Sequence, residues 1–262
     1  MKYIGIRGER GSGKDLITYI ISNILNHMIC KEEEPTKEQV DKWIKDIIDN
    51  ENIIHEISLN NIYIDSFGDA IKTFVAMLLG CDTKYLYDDY YKDHMVINMA
   101  TFEYKIYDNI PDNLILISNE QLSDYLLKKG SPDQSLSNIY ISLRDFILYF
   151  GHDVMKRFFG ANVWIKSLNS NNIMFENIFT DKTYKIYRDV KTSSEVTYIK
   201  DRKGIIIKIN KSHNKKKKGL DILSKDKRID YIIDIPDNIY DIYDNILKIC
   251  KEILKDNGEK EN

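Results

Sequence analysis

Near the start of the chain, Gly8-Glu9-Arg10-Gly11-Ser12-Gly13-Lys14 has the spacing Gly-x-x-x-x-Gly-Lys. Glycines at that spacing let a loop fold tightly enough for successive backbone N–H groups to face one anion. Tyr3 to Ile6 before it is a short apolar run that reads as a strand. Leu16 to Met28 after it carries Ile17, Ile20, Ile21, Ile24 and Leu25 at helical spacing. Strand, loop and helix in that order are the context in which the pattern binds phosphate, and the helix N-terminus adds its positive dipole end. Gly8, Gly11, Ser12, Gly13, Lys14 and Asp15 are therefore the candidate ATP-binding residues, with Lys14 reaching the β- and γ-phosphates. Asp15 stands where a Ser or Thr that binds Mg²⁺ is usual. Its carboxylate can hold the metal, or a water on it, or it can cap the helix.

Other candidates lie far along the chain. Asp189 closes an apolar run, Tyr184 to Val190, that reads as a strand. Ligands of open α/β sheets bind beyond the carboxyl ends of the strands, so Asp189 can organise Mg²⁺, bind substrate, or simply occupy a turn. Thr192-Ser193-Ser194-Glu195 is a capping-box pattern, which gives Glu195 a structural explanation of its own. Arg144 is surrounded by Leu143, Phe146 and Ile147 on an apolar helical segment, where a cation needs an anionic partner. A substrate phosphate is one such partner; Asp145 and Asp153 are the structural alternatives. Of Lys156 and Arg157, one reads as surface charge, and a lone histidine such as His152 is more often structural than catalytic.

The elements that must position these residues alternate. Asn61 to Asp65, Gly204 to Ile209 and Tyr231 to Ile235 are further β-rich runs. Helices are expected from Pro35-Thr36 onward with the stripe Val40, Trp43, Ile44, Ile47 and Ile48, after Ser66, over Ser142 to Phe159 with a break at Gly151, and from Asn238 to Leu254. The pattern predicts an α/β fold, a parallel five-stranded sheet with helices on both faces. It reads as one domain over 1–262 with helical and irregular insertions at about 31–60 and about 81–140. Within the second insertion Asn113 to Ser118 reads as one strand of a small hairpin, and Lys215 to Lys218 reads as a loop.

Bulk composition narrows the function classes. The chain has 262 residues, 43% of them hydrophobic, with a formal net charge of -3. That balance gives no reason to expect a nucleic-acid polymer or a membrane as partner. Cys30, Cys81 and Cys250 show no metal-type spacing and read as reduced thiols. The N-terminus begins as a strand, not as a signal peptide, and the longest uncharged apolar stretch is far short of the roughly 20 residues of a membrane span. A cytoplasmic protein is expected, and abundant Ile, Asn, Lys and Tyr suggest an AT-rich genome.

These segments together resemble the deoxynucleoside monophosphate kinases of tailed bacteriophages, within the nucleoside monophosphate kinases of the P-loop fold. The likeness rests on Gly8 to Asp15, where Gly-Lys-Asp replaces Gly-Lys-Ser/Thr as it does in that family, and on Ser66 to Lys72. It rests further on Leu143 to Asp153 continuing to Trp164, on Asp189 to Glu195, and on Tyr231 to Tyr243. It implies a phosphotransferase moving the ATP γ-phosphate, with Mg²⁺, to a (deoxy)nucleoside monophosphate, in the host cytoplasm if phage-encoded. A homodimer is compatible with it. Lys14, Arg144 and Asp189 would be catalytic. Lys72, Lys92, Arg144, Gly151, His152, Trp164, Asp189, Lys191 and Glu195 would bind the acceptor nucleotide, and Asp15 the metal. The chain departs from the family at Leu148 for Gln, His152 for Thr and Lys191 for Arg, and lacks the His-x-x-Glu near the last strand. Another small-molecule kinase, or a non-catalytic nucleotide-binding protein, would share the same loop.

Overall fold

The computed structural model describes residues 1–9, 11–50, 53–56, 59–129, 139–160, 162–168, 183–211 and 227–255. Arg10, the expected loop Lys215 to Lys218 and the side chain of His152 lie outside the described residues. The chain divides into two compact units, Met1–Phe67 with Ser170–Asn262, and Gly68–Asn169. The second contains the whole of the insertion expected at about 81–140.

The strands of the first unit are β1 (Lys2–Gly8), β2 (Ile62–Asp65), β6 (Tyr184–Tyr187), β7 (Ile205–Lys211) and β8 (Tyr231–Ile235). They form one sheet in the order β2-β6-β1-β7-β8, parallel throughout. The inner strands β6, β1 and β7 are buried on both faces and so are rich in apolar residues, and the edge strands β2 and β8 also carry mostly apolar residues, which made all five legible. β6 is shorter than expected: it stops at Tyr187, so Asp189 stands two residues past the strand and does not close it. The helices are α1 (Lys14–Lys31), α2 (Lys37–Asp49), a short α3 (Ile53–Glu56), α10 (Ser193–Asp201) and α11 (Tyr243–Lys255). On one face Ile17, Ile20, Ile21 and Ile24 of α1 and Ile246, Ile249 and Ile253 of α11 share a buried cluster with Ile4, Ile6, Ile207 and Ile233. Thr36 starts α2 as a capping box with Gln39, which sets where that amphipathic helix begins. α10 covers the other face: a Cβ on Gly5 of β1 would lie 2.6 Å from Ile199 Cδ1. An aromatic layer of Phe67, Tyr187 and Tyr198 fills the rest of that side.

The second unit contains α4 (Asp69–Leu79), α5 (Asp89–His94), α6 (Asn119–Lys129), α7 (Leu143–Leu148), α8 (Met155–Phe159) and α9 (163–168). Its sheet is antiparallel, in the order β4-β3-β5, from Tyr104–Ile106, Met95–Asn98 and Tyr140–Ser142. The strand expected at Asn113 to Ser118 does not form; Leu116 makes only an isolated bridge to Tyr140. The expected break at Gly151 is instead a π-turn, Tyr149–Val154, joining α7 to α8. Such turns insert one extra residue into a helix. Buried Gly151 fits there against α4: a Cβ would lie 2.0 Å from Ile71 Cδ1.

Candidate functional site

β1 is the central strand, and the chain turns to opposite sides of it: toward β2 first, and from β6 to β7 later. In open α/β sheets ligands bind at such a reversal, outside the carboxyl ends of the strands, here β1 and its neighbours. The glycine loop leaves β1 there. Gly11 and Gly13 hold φ of 72° and 79°, values that cost a residue with a Cβ. At Gly8 the constraint is space, since a Cβ would meet Ser12 Oγ at 2.4 Å and the Ile209 carbonyl at 2.9 Å. Ser12 is 3% exposed, and its Oγ has no hydrogen-bond partner among the described residues.

Lys14 opens α1 and folds back over the loop. Its Nζ donates to the Gly8 carbonyl at 3.0 Å and to the Glu9 carbonyl at 2.7 Å. The ammonium is thus held by two neutral dipoles. Its nearest carboxylate in the ion pairs, Asp189, is 4.0 Å away. Burial lowers the Lys14 pKa; Asp189 and Asp15 work the other way.

The segment after β6 is fixed from both sides. Arg188 N donates to the Asp65 carbonyl at the end of β2, and Val190 N donates to the Ile6 carbonyl of β1. Asp189, between them, is held at the sheet edge and pairs with Lys191 at 2.7 Å. Glu195 Oε2 accepts from Lys191 N at 2.7 Å and Thr192 N at 2.9 Å, and Glu195 N donates to Thr192 Oγ1. The capping box expected of Glu195 is present. Burial raises the Glu195 pKa despite the two N–H donors. Two stretches far apart in sequence thus meet at one edge: Lys14 lies 4.0 Å from Asp189 and Asp15 lies 3.5 Å from Arg188, with Lys191 and Glu195 bonded next to Asp189.

Two residues at this edge were not anticipated. Arg188, 7% exposed, places a guanidinium nitrogen 3.5 Å from Asp15 Oδ1. Lys185 within β6, 6% exposed, pairs with Asp65 at 2.8 Å. The available signal was two cations, Lys185 and Arg188, inside the apolar run Tyr184 to Val190. A cation in a strand buried on both faces must find an anion.

The remaining candidates lie in the second unit. Lys72 Nζ sits 3.4 Å from Asp69 and 4.0 Å from the centroid of the Tyr87 ring. Lys92 donates to the Tyr87 carbonyl at 2.8 Å and pairs with Asp89 at 3.0 Å. Arg144 donates through Nε and an Nη to Asp93, and through the same Nη to Asp89 at 3.2 Å. Lys72, Lys92 and Arg144 therefore share one network through Tyr87 and Asp89. The expected structural partners of Arg144 are corrected: Asp145 bonds Ser142, Asp153 accepts from Ser123, and the carboxylates on Arg144 come from α5. The hydrogen bond to Asp93 raises the Arg144 pKa. Asp89 is held down at about 2: its partial burial is outweighed by Lys92 and Arg144. Trp164 Nε1 donates to the Gly151 carbonyl at 3.1 Å, so these two candidates also meet. Lys156 is half-buried and Arg157 exposed on α8.

Among the described residues no group of three or more His, Cys, Asp and Glu could hold a metal ion alone. Mg²⁺ suits such a place only with substrate phosphates and waters completing its shell, as it commonly binds. Among the described residues no helix is long and apolar enough to cross a membrane. Comparison with models of protein families and with curated proteins returned no match for this chain.

Proposed function

We propose that the chain is a P-loop phosphotransferase, a nucleoside monophosphate kinase that passes the ATP γ-phosphate to a (deoxy)nucleoside monophosphate. The observation that carries this reading is the Gly8–Lys14 loop at the end of the central strand, with Lys14 held by two loop carbonyls. A cation bound only to neutral acceptors at contact distance is poised for an anion. In this reading the loop N–H groups and Lys14 hold the donor's β- and γ-phosphates. Asp189 and Asp15 would hold the metal, directly or through water, and it would supply charge neutralisation on the transferring phosphoryl. Transfer is direct and in line, an acceptor phosphate oxygen attacking the γ-phosphorus while ADP leaves. The acceptor class rests on the sequence resemblance, with Lys72, Lys92 and Arg144 as the cations assigned to the acceptor phosphate.

One observation favours a second reading, a nucleotide-binding protein without turnover. Arg144, the main acceptor cation, is already engaged by Asp93 and Asp89. A coupled ADP-release assay across all NMPs and dNMPs decides between the two. ADP release that depends on one of these acceptors supports the kinase. Tight ATP binding with no release for any acceptor supports the second reading. No ATP binding at all rejects both.

A further inference from the structure

We propose that the edge strand β4 and the outer face of α4 form the contact surface for a second copy of this chain, two β4 strands pairing antiparallel about a two-fold axis at Tyr104. The surface lies wholly within the second unit and does not depend on the loop site. The helix α4, Asp69–Leu79, carries two apolar stripes. Ile71, Val75, Ala76 and Leu79 are buried in the cluster that contains Met95, Ile97 and Met99. Phe74, Met77 and Leu78 form the second stripe at helical spacing, and are 40%, 77% and 38% exposed. A helix that is apolar all round is normally covered all round. The stripe is continuous with β4: a groove joins Met77 and Leu78 to Phe102 and Tyr104, which are themselves exposed.

The strand identifies the occupant. β4 ends the order β4-β3-β5, and among the described residues no strand pairs with its other side. The Glu103 carbonyl accepts from Asn98 N, and Tyr107 N donates to the His94 carbonyl. Bonding alternates along an antiparallel strand, so the N–H and carbonyl of Tyr104 and Ile106 point away from β3, to the open side. Such an edge is a template for another strand. Glu103 and Lys105 are both exposed and flank Tyr104 on one face of the strand. Lys105 Nζ lies 5.0 Å from the centroid of the Tyr107 ring, which that face also carries. When two copies pair about Tyr104, each Tyr104 exchanges both backbone hydrogen bonds with its mate, and Glu103 of each copy stands opposite Lys105 of the other. Opposite charges directly across a strand pair stabilise it, and like charges destabilise it. Glu-Tyr-Lys is thus complementary to itself under the two-fold rotation that closed dimers use. The neighbouring two-fold register, centred on Lys105, sets one ammonium against another.

Sedimentation velocity on the full chain, at low ionic strength where exposed charges act, measures the dimer. Wild type should dimerise in a concentration-dependent way. Glu103→Lys and Lys105→Glu should each weaken the dimer about tenfold or more, because each puts two like-charge pairs across the axis. The two variants mixed in equal amounts should recover it, since each then meets the opposite charge on the other. The double Glu103→Lys/Lys105→Glu should recover it alone. Met77→Lys should weaken it through the helix stripe. Circular dichroism checks that each variant is folded. A wild type that stays monomeric up to its solubility limit overturns the proposal and leaves the face to a different protein. A dimer that both charge variants leave unchanged overturns it by placing the interface elsewhere. Weakening by both with no recovery on mixing overturns the two-fold pairing, and a Met77→Lys dimer as tight as wild type takes α4 out of the surface.

Discussion

Two groups of cations in this protein face opposite situations. At the loop, Lys14 bonds two carbonyls and has its carboxylate at 4.0 Å. On α7 of the second unit, Arg144 is held by two carboxylates at contact distance. The pKa shifts follow the same division. Lys14 is lowered because burial outweighs distant anions, whereas Arg144 is raised because a bonded anion outweighs burial. A cation whose charge is uncompensated gains from a ligand anion; a cation already neutralised gains little, and the ligand must first displace a partner. The comparison separates a cation held only by neutral carbonyls at contact distance from one that ties α7 to α5.

The largest effect is expected at Lys14. Lys14→Ala should lower kcat on the order of 10²-fold or more, because a fixed charge at the transferring phosphoryl is lost. The melting temperature should change little, since the carbonyls of Gly8 and Glu9 lose only one shared donor. Near wild-type turnover by a folded variant would break the comparison at its first term. Asp189→Asn should follow, with a loss of about tenfold in kcat and an altered Mg²⁺ dependence, because the amide cannot neutralise a cation. Its backbone setting between β1 and β2 does not use the carboxylate, so denaturant midpoints should stay close to wild type. Unchanged activity and Mg²⁺ response would reduce Asp189 to a partner of Lys191.

Arg144→Ala sharpens the other side. If Arg144 is mainly the tie between α7 and α5, chemical denaturation should show a loss of about 1 kcal/mol, discounted because Asp89 and Asp93 are half-exposed or more. The Kd of ATP should not move. A loss of about 10² in kcat/KM for the monophosphate, with stability intact, would show that an acceptor phosphate does displace Asp93.

What the sequence revealed, and what it hid, follows the same division. The parallel sheet was legible because each strand is rich in apolar residues, and the loop because its glycines and lysine have a fixed spacing. The antiparallel sheet was not: its strands are only three or four residues long, and Tyr104-Lys105-Ile106 carries no apolar run. Asn113 to Ser118 reads as more strand-like, yet pairs through a single bridge at Leu116. Arg188 was passed over because a cation near the end of an expected strand announces nothing until its burial is known. Asp93 was missed because it lies 51 residues from Arg144.

The smallest effects are those of pH, and the two units should respond with opposite sign. Asp89 has its folded pKa depressed to about 2 from 3.8. Its contribution is present above the unfolded value and lost as pH falls from there toward 2. Glu195 at the loop edge is shifted the other way, above 4.5, by burial. Its ionisation costs folding energy, so its contribution is full below about 4.5 and lost as pH rises through the folded pKa. Each carboxylate can be isolated by its neutral isostere. Asp89→Asn should be less stable than wild type at pH 7, and the gap should close as the pH drops below about 4. Glu195→Gln keeps an acceptor for Lys191 N and Thr192 N, so it should match wild type in acid and gain on it as the pH rises toward 7. Urea midpoints measured from pH 3 to 8 give both curves. Parallel slopes for the two variants would mean that the two N–H donors outweigh burial at Glu195, and the edge beside the loop would then be as fully compensated as the Arg144 network.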